Sequence, residues 1–181
     1  MNPAKTMDGA SVERPDERLA RVLAAFAPSL ERIAASYSRA PADRDDLLQD
    51  FAIALWTSLP SFRGECSEKT FVLRVAHNRA LAFLSKRGAK TVDLSDHEDD
   101  VVATTGKNPS IAYERKERSN RLLAATRALP LGHRQVITLL LEGLTHHEIA
   151  DVLGTTENNV AVRASRARAA MRALIEEGGV A

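Results

Sequence analysis

Between Leu144 and Glu177 the apolar positions fall into two helical periods separated by a glycine. Ile149, Val152 and Leu153 give a short first segment one apolar face. Val160, Ala164, Ala167, Met171 and Leu174 recur at spacings of four, three, four and three, which lines up a single stripe on a longer second helix. Thr145 and Glu148 have the Thr-x-x-Glu spacing of a capping box, worth about 1 kcal/mol. Gly154 supplies the left-handed residue that ends the first helix, and Thr155 or Thr156 can cap the second. The pattern predicts a helix-turn-helix.

The same periodicity runs upstream. Leu19, Val22, Leu23, Phe26, Leu30, Ile33 and Ala34 continue one stripe from Pro15 to Tyr37, with Pro28 expected to kink or break the helix near Ala27. Pro41 and Asp43 open the next helix, and Asp45 and Asp46 fall in its first turn, where the helix dipole favours negative charge. Leu47, Phe51, Ala54 and Leu55 form its apolar face, yet Ile53 and Trp56 lie off that face. That surplus is either buried in a bundle or, exposed beside Gln49 and Asp50, a partner-binding patch with an aromatic anchor.

Residues 60–67 read as a polar loop around Gly64, and Glu68 to Arg87 as a helix with Val72, Val75, Ala76, Ala80 and Phe83 inward. Arg74, His77, Asn78 and Lys86 are then expected outside. Gly88 to Asn108 lacks a sustained period and reads as a linker. Pro109 and Ser110 restart helix through Ala128, Leu129-Pro130 breaks it, and His133 to Glu142 should support the helix-turn-helix through Leu144. No strand pattern competes. The expected fold is all-α: a disordered tail over 1–14, helical domains over 15–88 and 110–177, and a flexible acidic linker over 89–109.

Composition narrows the function classes. With 44% hydrophobic and 27% charged residues the chain is a soluble globular type. No apolar run approaches membrane-spanning length, and the N-terminus lacks a signal-peptide core, so a cytoplasmic protein without membrane insertion is expected. Cys66 is the single cysteine, so no internal disulfide forms, and no zinc-ligand spacing is present. His146 and His147 point about 100° apart on a helix and are expected in solvent. Neither a nucleophile-base pair nor a metal set is visible, so no enzyme activity and no cofactor are expected.

The net charge of +1 conceals a division: Arg63 to Lys90 is basic, whereas Thr91 to Thr105 carries five acids and no base. In the second helix of the helix-turn-helix, Glu157, Asn158, Asn159, Ala161, Val162, Ser165 and Arg166 face away from the stripe, with Arg163, Arg168 and Arg172 at its flanks. Asn pairs with adenine, Arg with guanine or phosphate, and Val or Ala touches a thymine methyl, so this set suits a major groove. An ordinary helical hairpin with a solvated basic face is the alternative. Likewise, Phe62 and Arg63 before a basic helix fit either single-stranded nucleic acid or a solvated charged face.

The order DRDDLLQDFAIALW, LPSFRGE, AHNRALAFLSKR, an acidic linker, then LPLGHRQVITLLLEGLTHHEIADVLGTTENNVAVRASRARAAMRAL resembles the extracytoplasmic-function (ECF) subgroup of the bacterial sigma-70 family of RNA polymerase sigma factors. The likeness extends from Leu19 to Ile175. It implies a region 2-like domain, with Asp46, Leu47, Gln49, Asp50 and Phe51 docking on the clamp helices of the polymerase largest subunit. It also implies minus-10 contacts from Phe62, Arg63, Lys69, Arg74, His77, Asn78 and Arg79. A region 4-like domain, meeting the polymerase flap, would read the minus-35 element through Thr156, Glu157, Asn158, Asn159, Ala161, Val162, Arg163, Ser165 and Arg166. An anti-sigma factor is a further implied partner. The chain departs from the family at Phe71, where tryptophan is frequent, at Ala161, where a basic residue is, and at Thr156 to Asn158, where a proline-x-glycine turn is. The alternatives are a stand-alone helix-turn-helix regulator, which has no need of Asp43 to Trp56, and a helical protein that only sequesters a partner.

Overall fold

The computed structural model describes residues 14–88 and 109–177. Among them the elements are α1 (Pro15–Tyr37), α2 (Pro41–Ser58), a short 3-10 turn (Leu59–Ser61), α3 (Glu68–Gly88), α4 (Pro109–Ala128), α5 (Leu131–Leu141), α6 (His146–Leu153) and α7 (Glu157–Glu177), and no strand. The fold is all-α. The tail expected over 1–14 and the linker expected over 89–109 lie outside the described residues, apart from Arg14 and Pro109.

Proline sets several boundaries. Pro15 and Pro41 occupy the first turns of α1 and α2, where the missing N–H costs nothing. Pro130 separates α4 from α5, and the Arg134 guanidinium donates to the freed carbonyls of Arg127 and Leu129. Of the kink or break expected at Pro28, the break does not occur: α1 runs through it to Tyr37. Pro28 and Ala24, whose carbonyl loses its partner, both face solvent, while buried Val22 and Leu30 to Tyr37 hold the two halves in one core.

α1, α2 and α3 pack around Val22, Ile33, Leu47, Phe51, Leu55, Val72 and Ala76. The helix-turn-helix does not stand apart from them, for Leu144, Ile149, Val152, Val160 and Ala164 join the same apolar cluster. A second, smaller cluster of Ala125, Leu129, Ile137, Ala167 and Met171 ties α4 and α5 to α7. Arg87 pairs with Asp43 and Arg21 with Glu68, tying α3 to α2 and to α1. Among the described residues, no helix is long and apolar enough to cross a membrane.

Candidate nucleic-acid and partner interfaces

α7 follows the expected pattern. Thr145 accepts from the Glu148 amide at 3.2 Å while the Glu148 carboxylate accepts from the Thr145 amide at 2.9 Å, closing the capping box. Gly154 ends α6 at φ 62°. Nothing lies within 4 Å of a Cβ placed there, so glycine is required by the backbone angle and not by crowding. Thr156 caps α7, its hydroxyl accepting from the Asn159 amide at 3.3 Å. Val160, Ala164, Ala167 and Met171 are buried.

The opposite face presents Thr156, Glu157, Asn158, Val162, Ser165 and Arg166 to solvent, with Asn159, Ala161 and Arg163 half-buried at its edge. Two of these are pre-positioned. The Asn159 side chain donates from Nδ2 to the Thr155 hydroxyl at 2.9 Å, and Glu157 lies 2.8 Å from His147 Nδ1. The His147 imidazole, with Asp151 also 3.8 Å away, is raised above the usual histidine range, first by the Glu157 hydrogen bond. His147 is solvent-facing as expected, and its bond to Glu157 joins different helices, so helical periodicity gives no sign of it.

On α2 the off-face residues are the exposed ones. Ile53 is 62% and Trp56 48% exposed, beside exposed Asp46, Gln49 and Asp50. The apolar surplus is therefore exposed and not buried in the bundle. Leu47 and Phe51 need correction: both are fully buried against α1 and α3, so neither can reach a partner without unfolding the core.

α3 departs furthest. Thr70, Leu73 and His77 are buried as completely as Val72, Ala76 and Ala80, so the helix is covered on two faces. His77, expected outside, lies in the core at 0% exposure, with the Tyr37 hydroxyl 3.3 Å from its Nδ1. Burial pushes its imidazole down to about 4, so it is neutral near pH 7. It is no surface contact in this arrangement. Arg63, Asn78 and Arg79 are exposed, and Lys69 and Arg74 half-buried. Phe62 stacks on Phe71 with ring centres 4.5 Å apart, so one face of this aromatic is already used. Among the described residues there is no group of three or more His, Cys, Asp or Glu able to hold a metal.

Three exposed surfaces thus lie on one chain: an acidic and aromatic face on α2, a basic edge on α3, and a polar, Arg-bearing face on α7. The family model for Sigma-70 region 2 matches residues 22–90, and that for Sigma-70, region 4 matches residues 119–171. The RNA polymerase sigma factor NccH of Alcaligenes xylosoxydans xylosoxydans is 26% identical over 84% of this chain and 83% of its own length. The ECF RNA polymerase sigma-E factor of Escherichia coli K12 is 28% identical over 71% of this chain and 72% of its own. Two solved structures share the fold. The sigma factor RpoE of Bartonella quintana, in complex with the anti-sigma factor NepR, matches at TM-score 0.71 and 20% identity, over 88% of this chain and 98% of that one. CnrH, in complex with the cytosolic domain of CnrY, matches at 0.64 and 23%, over 90% of each.

Proposed function

We propose, from the premise that this chain belongs to the ECF subgroup of the sigma-70 family of RNA polymerase sigma factors, a division of labour among its three exposed surfaces. The protein directs core polymerase to specific promoters and promotes DNA opening. The observation that carries the division is the α2 face, where Ile53 and Trp56 stand in solvent beside Asp46, Gln49 and Asp50. A promoter reader acting alone has no use for an exposed aromatic anchor ringed by acids, whereas a subunit that docks on a larger enzyme does.

In this reading α2 docks on the clamp helices of the polymerase largest subunit. The Phe62 to Arg79 surface, without His77, holds the non-template strand of the minus-10 element. Arg63, Lys69, Arg74 and Arg79 follow phosphates there, and Phe62, which has Phe71 stacked on it and the Arg18 guanidinium 5.7 Å from its ring centre, stacks a base once Arg18 moves aside. Binding energy from extruded bases offsets the few kcal/mol of unstacking, so this chain supplies no reaction chemistry of its own. α7 enters the major groove of the minus-35 element by its N-terminal turns, with Arg166 on guanine or phosphate and Val162 on a thymine methyl. Region 4 also meets the polymerase flap. The setting is the cytoplasm, and an anti-sigma factor holds the protein inactive, a reading supported by the NepR and CnrY complexes of its structural relatives.

The test is transcription by sigma-free bacterial core polymerase on a library of promoter fragments, with and without this protein. New specific starts are expected. Their absence, together with tight binding of palindromic DNA by the protein alone, would establish a stand-alone regulator instead. Asp50→Lys is expected to abolish co-elution with core polymerase while leaving the far-ultraviolet circular dichroism unchanged. Unchanged co-elution would remove α2 from the docking role.

A further inference from the structure

The helix-turn-helix is folded back onto the element that carries the minus-10 surface, and charged groups fasten it there. Arg32 on α1 makes a two-pronged bond to Glu142 just after α5, with Nε and Nη2 each 2.7 Å from a carboxylate oxygen. The Glu142 side chain is only 2% exposed, and the Arg32 guanidinium is its ion-pair partner. Arg127 on α4 donates from Nε to the Ala35 carbonyl of α1 at 2.8 Å. Leu144 and Ile149 pack into the cluster that holds Val72 and Leu73 of α3.

At the centre of this contact is the N-terminal end of α3. Glu148, on α6, accepts a 2.7 Å hydrogen bond from the Thr70 hydroxyl, itself bonded to Ser67. Lys69 reaches across the same joint, with Nζ 3.4 Å from the point where a Cβ on Gly143 would stand. The Glu148 carboxylate is held below its usual range, first by the Thr145 amide, then by the Thr70 hydroxyl, with the Lys69 charge contributing. It remains an anion at neutral pH. An anion beside the first turn of a helix, a hydroxyl donor and an ammonium group is the environment a phosphate seeks.

We propose that the free chain occludes itself: α6 covers the N-terminal end of α3, and Glu148 stands where a phosphate of the minus-10 strand binds, so that α6 must leave before promoter DNA can be held there. The surface around Thr70 and Lys69 then has two exclusive partners, the chain's own helix-turn-helix and single-stranded DNA. The inference rests on the reading of Lys69 as part of the minus-10 surface.

Two variants of the full chain test it, Arg32→Ala and Glu148→Gln. The first leaves the buried Glu142 charge unpaired and loosens the joint. The second keeps a glutamine able to serve the capping box but removes the anion. Binding of a fluorescein-labelled pool of single-stranded DNA by the free proteins is read by anisotropy, and particle dimensions by small-angle X-ray scattering. At least a fivefold gain in affinity is expected for both, with a larger radius of gyration for Arg32→Ala. The gain from Arg32→Ala is diagnostic, because losing a cation by itself weakens DNA binding. Affinity equal to that of the wild type in both variants, or a wild-type chain already as extended as Arg32→Ala, would overturn the occlusion. Should Arg32→Ala fail to fold, Glu148→Gln and the scattering of the wild type decide. Lys69→Ala in the Glu148→Gln background separates the two readings: lost binding supports the minus-10 role, whereas a retained gain leaves the occlusion standing and removes Lys69 from the DNA surface.

Discussion

α3 and α7 have the same length, 21 residues, and both carry basic side chains proposed to touch DNA, yet they sit in the molecule in different ways. α7 is covered along one stripe and bare on the other side, as a helix packed against a single layer should be. α3 is wedged between α1 and α2 on one flank and α6 on another, so Thr70, Leu73 and His77 are buried along with Val72, Ala76 and Ala80. A recognition helix can vary its outer face at little structural cost. A wedged helix has few positions free to change, and the DNA contacts proposed for it are confined to its edges and to the loop before it.

Substitutions that separate stability from binding sharpen this contrast. The largest effect is expected for Leu73→Ala in α3, a loss of about 2–5 kcal/mol in urea unfolding, against less than about 0.5 kcal/mol for Val162→Ala on the outer face of α7. Equal losses would mean that α7 too is covered on both sides.

Next is pH. His77 is held near 4 in the fold and returns to about 6.5 when unfolded, so between those values the unfolded chain binds the extra proton. Stability should therefore fall as pH drops from 6.5 toward 4, by about 3 kcal/mol at 1.36 kcal/mol per unit. His77→Phe should flatten that part of the profile. A solvated His77 would give no such slope.

The smallest effect is on recognition. Arg166→Ala should cost about 1–3 kcal/mol at promoters that depend on the upstream element, measured by holoenzyme footprinting, with unfolding unchanged. A uniform loss at every promoter would assign Arg166 to phosphate alone.

The same contrast explains what the sequence reveals. The helix-turn-helix was legible residue by residue, since its caps, its glycine and its stripe are local, and the outer face follows by subtraction. The α2 surplus was legible for a related reason, because Ile53 and Trp56 lie off a stripe already complete without them. What stayed hidden depends on partners distant in the chain. His77 reads as polar and outward until Tyr37, 40 residues away, closes over it. The resemblance puts Phe51 and Leu47 among the docking residues, yet an apolar side chain on the buried stripe has no second face to offer. The Glu148 contact with Thr70 spans 78 residues, and Glu148 had already a sufficient local role in the capping box. Pro28 does not end its helix because a proline breaks a helix only where the lost bond and the displaced carbonyl cannot be borne, and here the Ala24 carbonyl faces solvent.

Trp56 has one more consequence. It is the only tryptophan in the chain and is half in water on the α2 face proposed to dock on polymerase. The protein therefore carries its own fluorophore at that proposed interface: excited at the red edge of its absorption, its emission reports the wetness of that single patch. Covering the patch should shift the spectrum to the blue, so that association can be followed in real time on the unlabelled chain, with a tryptophan-free partner or peptide supplying a dark background.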